Sequence, residues 1–427
     1  MSHTLRSRGR ALDWLNFFVA NLQTAFGPFI AIYLTGAHWT QGQIGWALSI
    51  GSITAMASQV PAGLVVDALP NKRRAAGWAI GAIMLSCLLL AALPVQLPVA
   101  VAEVLHGFAS CMLNPAIAAV TLGVVALQAN ASLHLDGVGG HRADGQDGTV
   151  ALTGARFGRN ASFASIGNAF AAGLMAAVGY LVSARATLLL GALLAAPGLW
   201  ALRAIGDVPP PPAPPARDAA PGKEGFWQHI PHLLSDRTLL VFLVCAVAYH
   251  FSNAAMLPLA AGQITKQAGN VAALVIGACI LIPQLIVAVL SPLIGRYAGV
   301  WGMRTVVVAG FAALPLRGVL LSLTTDPYAV VAIELLDGIS SATFGVMMPL
   351  VAADIARRTG HFNLCLGILG LGMGLGATLS TSVAGDIADS SLSQAFLLLA
   401  AVGGFSVLLG FALPGSQAAK LRRAARR

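Results

Sequence analysis

The sequence predicts an all-α polytopic membrane protein built as two related halves of six helices each. Three observations lead there. The composition is 57% hydrophobic and only 10% charged, with a mean hydropathy of +0.78, too apolar for a soluble globule. Twelve apolar stretches are each long enough for a helix to cross a bilayer, which takes about 20 residues. Two of these stretches, 231 positions apart, carry near-copies: Glu103-Val104-Leu105-His106-Gly107 and Glu334-Leu335-Leu336-Asp337-Gly338.

In chain order the predicted spans are 12–34, 44–66, 75–93, 99–127, 157–181, 186–205, 239–261, 271–297, 305–323, 328–355, 362–387 and 392–413. The first follows a basic segment and contains Asp13, Asn16, Asn21 and Gln23, so it reads as a retained span and not a cleaved signal. The repeat runs beyond the five-residue match. An offset of 231 carries Ser110 onto Ser341 and Pro61 onto Pro292, and an offset of 230 carries Pro28 onto Pro258. Gly158-Arg159-Asn160 is echoed by Gly360-His361-Phe362-Asn363 at a shorter offset, which places extra residues in the first half between its fourth and fifth spans. That extra length is a polar stretch of about 128–154, expected as a cytoplasmic loop. Its His134, Asp136, His141, Asp144 and Asp147 lack the spacing of a metal site.

The strongest boundary is the proline-rich, charged stretch 207–236, expected as an extended cytoplasmic linker. The organisation is then a first bundle over 1–206, the linker, a second bundle over 237–413 and a basic tail over 414–427. A net charge of +9 invites a nucleic-acid reading, but the placement of the charges opposes it. With both termini in the cytoplasm, all 25 Lys and Arg except Arg185, Lys266 and Arg317 fall on cytoplasmic loops, tails or helix ends. This is the positive-inside pattern of a multi-pass plasma membrane protein, in bacteria the inner membrane. The basic tail is expected against anionic lipid. Cys87, Cys111, Cys245, Cys279 and Cys365 all fall within predicted spans without paired spacing, which reads as packing and not as disulfides or metal ligands.

Between the second and third spans stands Pro61-Ala62-Gly63-Leu64-Val65-Val66-Asp67-Ala68-Leu69-Pro70-Asn71-Lys72-Arg73-Arg74. It resembles the loop signature of the major facilitator superfamily: a glycine, an aspartate four residues later, then a basic cluster. The resemblance implies the twelve-helix fold of that family, with two pseudo-symmetric bundles around a central cavity lined by the first, fourth, seventh and tenth helices. It also implies that Gly63, Asp67 and Arg73 or Arg74 form a cytoplasmic charge relay that helps hold one conformation. Ala68 and Pro70 depart from the signature, and the second-half copy, Pro292 to Arg296, lacks the aspartate. Where many drug–proton antiporters of the family carry an arginine on the fourth helix, this chain has Glu103. That departure argues against a generic multidrug exporter.

Helical spacing places Glu103, His106, Ser110 and Asn114 on one face, and Glu334, Asp337, Ser341 and Gly345 on another. By the resemblance both stripes face the cavity, together with Asn16 and Gln23 of the first span and His250 and Asn253 of the seventh. Gln23 and Asn253 correspond in the repeat. They and Asn16, Asn114 and His250 are the candidate substrate contacts, with interhelical hydrogen bonding an equal alternative for each. Carboxylates within a span are costly, so Glu103, Glu334 and Asp337 need partners. Arg317 and Glu334 lie at similar depth on neighbouring spans, at about 1.5 Å of rise per residue, which predicts an ion pair. Two acids beside one arginine make Glu334 or Asp337 a candidate proton carrier, with His106 a first-half partner to Glu103; a static salt bridge is the alternative.

The reading is a secondary active transporter that moves a small solute by alternating access, coupled to protons and working as an exporter. The alternative is a proton symporter importing a small polar nutrient or metabolite. A membrane enzyme or receptor lacks support, because no P-loop and no paired-histidine zinc motif is present. No cofactor or metal is expected. The expected partners are a small-molecule substrate, protons and membrane lipid, with no nucleic acid, and the protein is expected to be a monomer.

Overall fold

The computed structural model describes residues 2–26, 28–39, 41–135, 142–209, 233–267 and 272–415. Most of the linker and of the basic tail, and the side chains of His134, Asp136, His141, Asp144 and Asp147, lie outside the described residues. Everything described in regular structure is helical: α1 Ser2–Thr24, α2 Pro28–Gly36, α3 Gln41–Ala68, α4 Lys72–Ala92, α5 Gln96–Leu135, α6 Arg142–Leu181, α7 Ala184–Ile205, α8 Arg237–Ala254, α9 Met256–Gln267, α10 Ala272–Trp301, α11 Met303–Phe311, α12 Ala313–Leu323, α13 Pro327–Ile333, α14 Leu335–Thr359, α15 Phe362–Ser390 and α16 Leu392–Gly410. The all-α polytopic class is borne out, with 11 helices among the described residues long and apolar enough to cross a membrane. Helices α5 and α6 run to Leu135 and start at Arg142, so helical backbone enters the stretch expected as loop from both sides.

The first span is not among those 11, and its helix is divided into α1 and α2. The cause is proline. A proline lacks the N–H that would bond four residues back, and its ring crowds that carbonyl. Helix α1 ends at Thr24, four residues before Pro28; α8 ends at Ala254, four before Pro258; α11 ends at Phe311, four before Pro315. The repeated proline of the first and seventh spans is thus a repeated helix break. At the second of these the freed N–H of Ala255 donates to Ser380 Oγ at 3.1 Å. The fourth break, at Glu334 between α13 and α14, has no proline behind it. There the Glu334 carbonyl accepts from Asp337 N at 3.1 Å, a tighter turn than the α-helical ladder.

Side-chain caps start several of the helices. Asn71 accepts from Arg74 N ahead of α4, Asp236 from Thr238 N and Leu239 N ahead of α8, and Asp326 from Tyr328 N ahead of α13, with Pro327 at the first helical position. Gly360, at φ +79°, makes the left-handed turn between α14 and α15 that a side chain would strain.

The chain divides into two compact units. Unit one comprises Met1–Thr149, Phe163–Ala213 and Gly360–Gly367; unit two comprises Val150–Ser162, Pro214–Thr359 and Ile368–Arg427. In unit one α4 packs on α5 and α7, α3 on α5, and α1 on α7. In unit two α10 and α11 pack on α14, and α16 packs on α8 and α12. The glycine shared by the two repeated segments serves these crossings. A Cβ on Gly107 would strike Gly51 and Thr54 of α3, and one on Gly338 would strike Pro283 and Ile286 of α10. Small residues let helices approach closely where lipid offers no hydrophobic drive between them.

Candidate functional site

Unit two brings Arg317, Glu334, Asp337 and Asn253 together. Arg317, on α12, is held by three acceptors: Nη2 donates to Glu334 Oε2 at 2.7 Å, and Nη1 donates to Asp337 Oδ1 at 2.9 Å and to Asn253 Oδ1. The predicted ion pair is present, and it is buried: Arg317 is 1% exposed, Glu334 0% and Asp337 19%. Burying three charges costs desolvation that only close pairing and hydrogen bonds repay. The repayment here is incomplete, because Arg317 Nε and Glu334 Oε1 are buried without a hydrogen-bond partner. The network continues from Asp337. Ser341 Oγ donates to its Oδ1 at 3.5 Å, and the Tyr249 hydroxyl lies 3.2 Å from Ser341 Oγ and 3.4 Å from Ser340 Oγ. His250 turns its Nδ1 to the Ala246 carbonyl at 3.1 Å and packs its ring against Tyr249 and Phe344.

Unit one holds a second polar group. Gln23 Oε1 accepts from Ser110 Oγ at 3.1 Å and lies 3.2 Å from His106 Nε2. The His106 ring stacks flat on Phe26, with centroids 3.5 Å apart. His106 therefore turns to Gln23 and not to Glu103, its expected partner. Glu103 is 4% exposed, lies against Gly51 of α3, and has Oε1 buried without a partner. Asn16 spends its amide on the Leu12 carbonyl one turn back, at 2.8 Å, and Asn114 is exposed. The stripe from Glu103 to Asn114 is real as a spacing, but only its middle acts together: His106 and Ser110 share Gln23, while Glu103 lies against Gly51 and Asn114 is exposed.

The loop motif is organised differently from the charge relay its resemblance implied. Asp67 pairs with no arginine among the described residues. Its Oδ1 accepts from Asn363 Nδ2 at 2.6 Å and Asn363 N at 3.2 Å, and its Oδ2 from Leu364 N at 2.8 Å, so it caps the first turn of α15. A Cβ on Gly63 would run into the Asn363 carbonyl. Lys72 closes the end of α3, with Nζ donating to the carbonyls of Val66, Asp67 and Leu69 at 2.7–2.8 Å. Arg73 instead bonds Asp207 at 2.8 Å. Arg74 contributes its backbone N–H to the Asn71 cap.

The sequence model of the Major Facilitator Superfamily matches residues 12–282. The chain belongs to the Major Facilitator Superfamily. An uncharacterized MFS-type transporter of Mycobacterium tuberculosis, found in two strains, is 32% identical over 421 residues, covering 94% of this chain and 91% of that protein. Among solved structures of the superfamily fold, FucP in the outward conformation aligns with a TM-score of 0.70 at 15% identity, covering 94% of this chain and 97% of FucP. The human organic anion transporter MFSD10 aligns with a TM-score of 0.69 at 14% identity, over 95% and 99% of the two chains. As a superfamily member the protein is a multi-pass integral membrane protein and a secondary transporter of small molecules, not an enzyme.

Three contributors to these clusters escaped the sequence reading. Tyr249 lies four residues before Asn253 on one helical face, a spacing that would have flagged it. Lys72 stands in the quoted basic cluster, but its partners are backbone carbonyls, which carry no sequence signal. Asn363 belongs to the noted echo, yet nothing local ties it to Asp67.

Proposed function

We propose that this superfamily member is a proton-coupled transporter of a small polar or zwitterionic solute, in which Asp337 or Glu334 takes up and releases the coupling proton beside Arg317. The observation that carries the reading is a fully buried guanidinium on α12 shared by two carboxylates, one at the break between α13 and α14 and one on α14, and by an amide on α8. One guanidinium balances only one of the two carboxylates, so a proton arriving on either acid changes what Arg317 binds. Asn253 and Gln23, equivalent in the repeat, offer amides for the solute, with Asn16, Asn114 and His250 as further polar groups, and Glu103 and His106 are the first-half candidates for proton coupling. Polar cargo also fits the names of two proteins of the same fold, the E. coli fucose:proton symporter and the nucleoside transporter NupG, the latter aligning at a TM-score of 0.57.

In this reading the protein works as a monomer in the plasma membrane, the inner membrane in bacteria. Both termini are cytoplasmic, and the basic tail lies against anionic lipid. The hydrogen bonds from Asn363 and Leu364 to Asp67, with Gly63, Lys72, Arg73 and Arg74 around them, serve as a conformational latch. The loop signature favours export, while the Arg317 cluster favours symport into the cell. A growth screen of a deletion strain across toxins and nutrients identifies the solute. Flux of that solute in vesicles under an imposed pH gradient then gives the direction. Asp337→Asn abolishes uphill transport while leaving exchange measurable; uphill transport at the wild-type rate in that variant ends the proposal.

A further inference from the structure

We infer that Arg317 and Glu334 form a two-state pair. In the arrangement seen here the guanidinium is divided among Glu334, Asp337 and Asn253. When Asp337 takes a proton, Glu334 turns to grip the guanidinium with both oxygens, through Nε and Nη2, as its sole counter-ion. The inference rests on the proton-coupled reading and adds to it which acid carries the proton and which stays charged.

The two unpartnered atoms carry the argument. A guanidinium has five N–H donors in a planar fork, and Nε and Nη2 lie along one edge of it. Glu334 Oε2 already accepts from Nη2, while Nε and Glu334 Oε1 are both buried without a partner. The missing donor and the missing acceptor thus belong to the same pair and are the remaining prongs of one two-pronged contact. Turning the Glu334 carboxyl about its terminal bond, with a small shift of the fork, would satisfy both. What opposes this is the pull on the other edge, where Nη1 donates to Asp337 Oδ1 and Asn253 Oδ1. A neutral Asp337 accepts more weakly, which reduces that pull and leaves Glu334 as the one anion beside Arg317.

Asp337 is the carrier by its surroundings. It is the partly exposed acid, 19% against 0% for Glu334, and it has the hydroxyls of Ser341 and, beyond that, Tyr249 beside it. Among the described residues, the other titratable groups interacting with Arg317, Glu334 and Asp337 are Tyr249 from α8 and Cys279 from α10, and neither is a carboxylate. The backbone gives Glu334 room to move, since the residue is itself the break between α13 and α14. Its carbonyl is shared by the N–H groups of Asp337 and Gly338, at 3.1 and 3.4 Å, with no proline enforcing the turn.

The chain's glutamates are Glu103, Glu224 and Glu334, so ¹³C-glutamate labelling reports on few groups. Infrared difference spectra are recorded as the full-length labelled protein is acidified in phosphatidylethanolamine–phosphatidylglycerol vesicles. The expected result is an unlabelled, aspartic carboxyl band together with a shift in the labelled carboxylate bands, both absent in Asp337→Asn. The glutamate shift persists in Glu103→Gln and is lost in Glu334→Gln. If the latter does not fold, the Glu103→Gln spectrum together with Asp337→Asn still assigns the shift. An Asp337 band with unchanged glutamate carboxylates overturns the two-state pair, as does a labelled carboxyl band from Glu334, while either leaves the coupled reading standing. No protonation of either acid across the pH range of the folded protein overturns both.

Discussion

Asp67 and Asn363 are 296 positions apart in the chain and 2.6 Å apart in the fold. The carboxylate takes the amide side chain of Asn363 and the backbone N–H groups of Asn363 and Leu364, supplying partners that the first turn of α15 cannot find in its own helix. Removing it should therefore be felt at a helix start far away in sequence. Asp67→Ala is expected to lower stability by about 1–3 kcal/mol, the range for a partly buried group left unpaired. Asp67→Asn keeps one acceptor oxygen and loses the other together with the charge at the helix N-terminus, so its cost should fall below that of Asp67→Ala without vanishing. Thermal unfolding of the purified protein in detergent should rank wild type above Asn above Ala.

Arg317 predicts a different pattern. Arg317→Met leaves Glu334 and Asp337 facing each other in a buried site without a cation and is expected to cost about 3–5 kcal/mol. Combining it with Glu334→Gln and Asp337→Asn removes the uncompensated charges, so the triple variant should unfold at a higher temperature than the single one. Equal melting temperatures for the two would contradict a buried charge cluster.

The two repeat-related amides should separate in function. Gln23 bonds Ser110 and lies beside His106, whereas Asn253 bonds Arg317. Each loss of a solute hydrogen bond is worth about 0.5–1.5 kcal/mol, up to about 10-fold in affinity. Gln23→Ala is expected to weaken solute binding and leave its pH dependence intact. Asn253→Ala should weaken binding and change its pH dependence as well. Binding isotherms at several pH values test the contrast, and identical profiles for the two variants would count against it.

Pro258→Ala returns an N–H to the position that breaks α8 from α9. Alanine is better than proline by about 3 kcal/mol inside a helix, so the variant is expected to melt no lower than wild type. Healing the break turns Asn253, one residue before the end of α8, away from its present contact, so transport should fall while the fold survives. Solute exchange and melting temperature measured on the same preparation decide this; wild-type exchange would show that the break is only structural.

How much was legible in the sequence depends on the kind of signal. Apolar runs of bilayer length and the placement of lysine and arginine are local, so the helical membrane class could be read directly. The duplication could be read too, although its parts meant different things. Gly107 and Gly338 are shared because both sit at helix crossings, and Pro28 and Pro258 because both break a helix. Glu103 and Glu334 share only a position, since Glu334 has Arg317 and Glu103 has Gly51 and no cation among its described partners. The depth argument found the Arg317–Glu334 pair because rise along a helix is a fixed quantity and the two spans are joined by a short turn.

The sequence alone established the membrane class, the repeat, the basic faces and the set of ionisable residues that needed explaining. Hydrophobicity and helical periodicity act within a few residues, and those properties depend on nothing longer. Partnership depends on which helix faces which, and on how far each rotates about its axis. The tertiary structure therefore decided that His106 meets Gln23, that Asp67 caps α15 while Lys72 closes α3, and that Asn253 joins the acids on Arg317. A rotation of one helix by a single residue, about 100°, would have exchanged those partners without altering one local pattern.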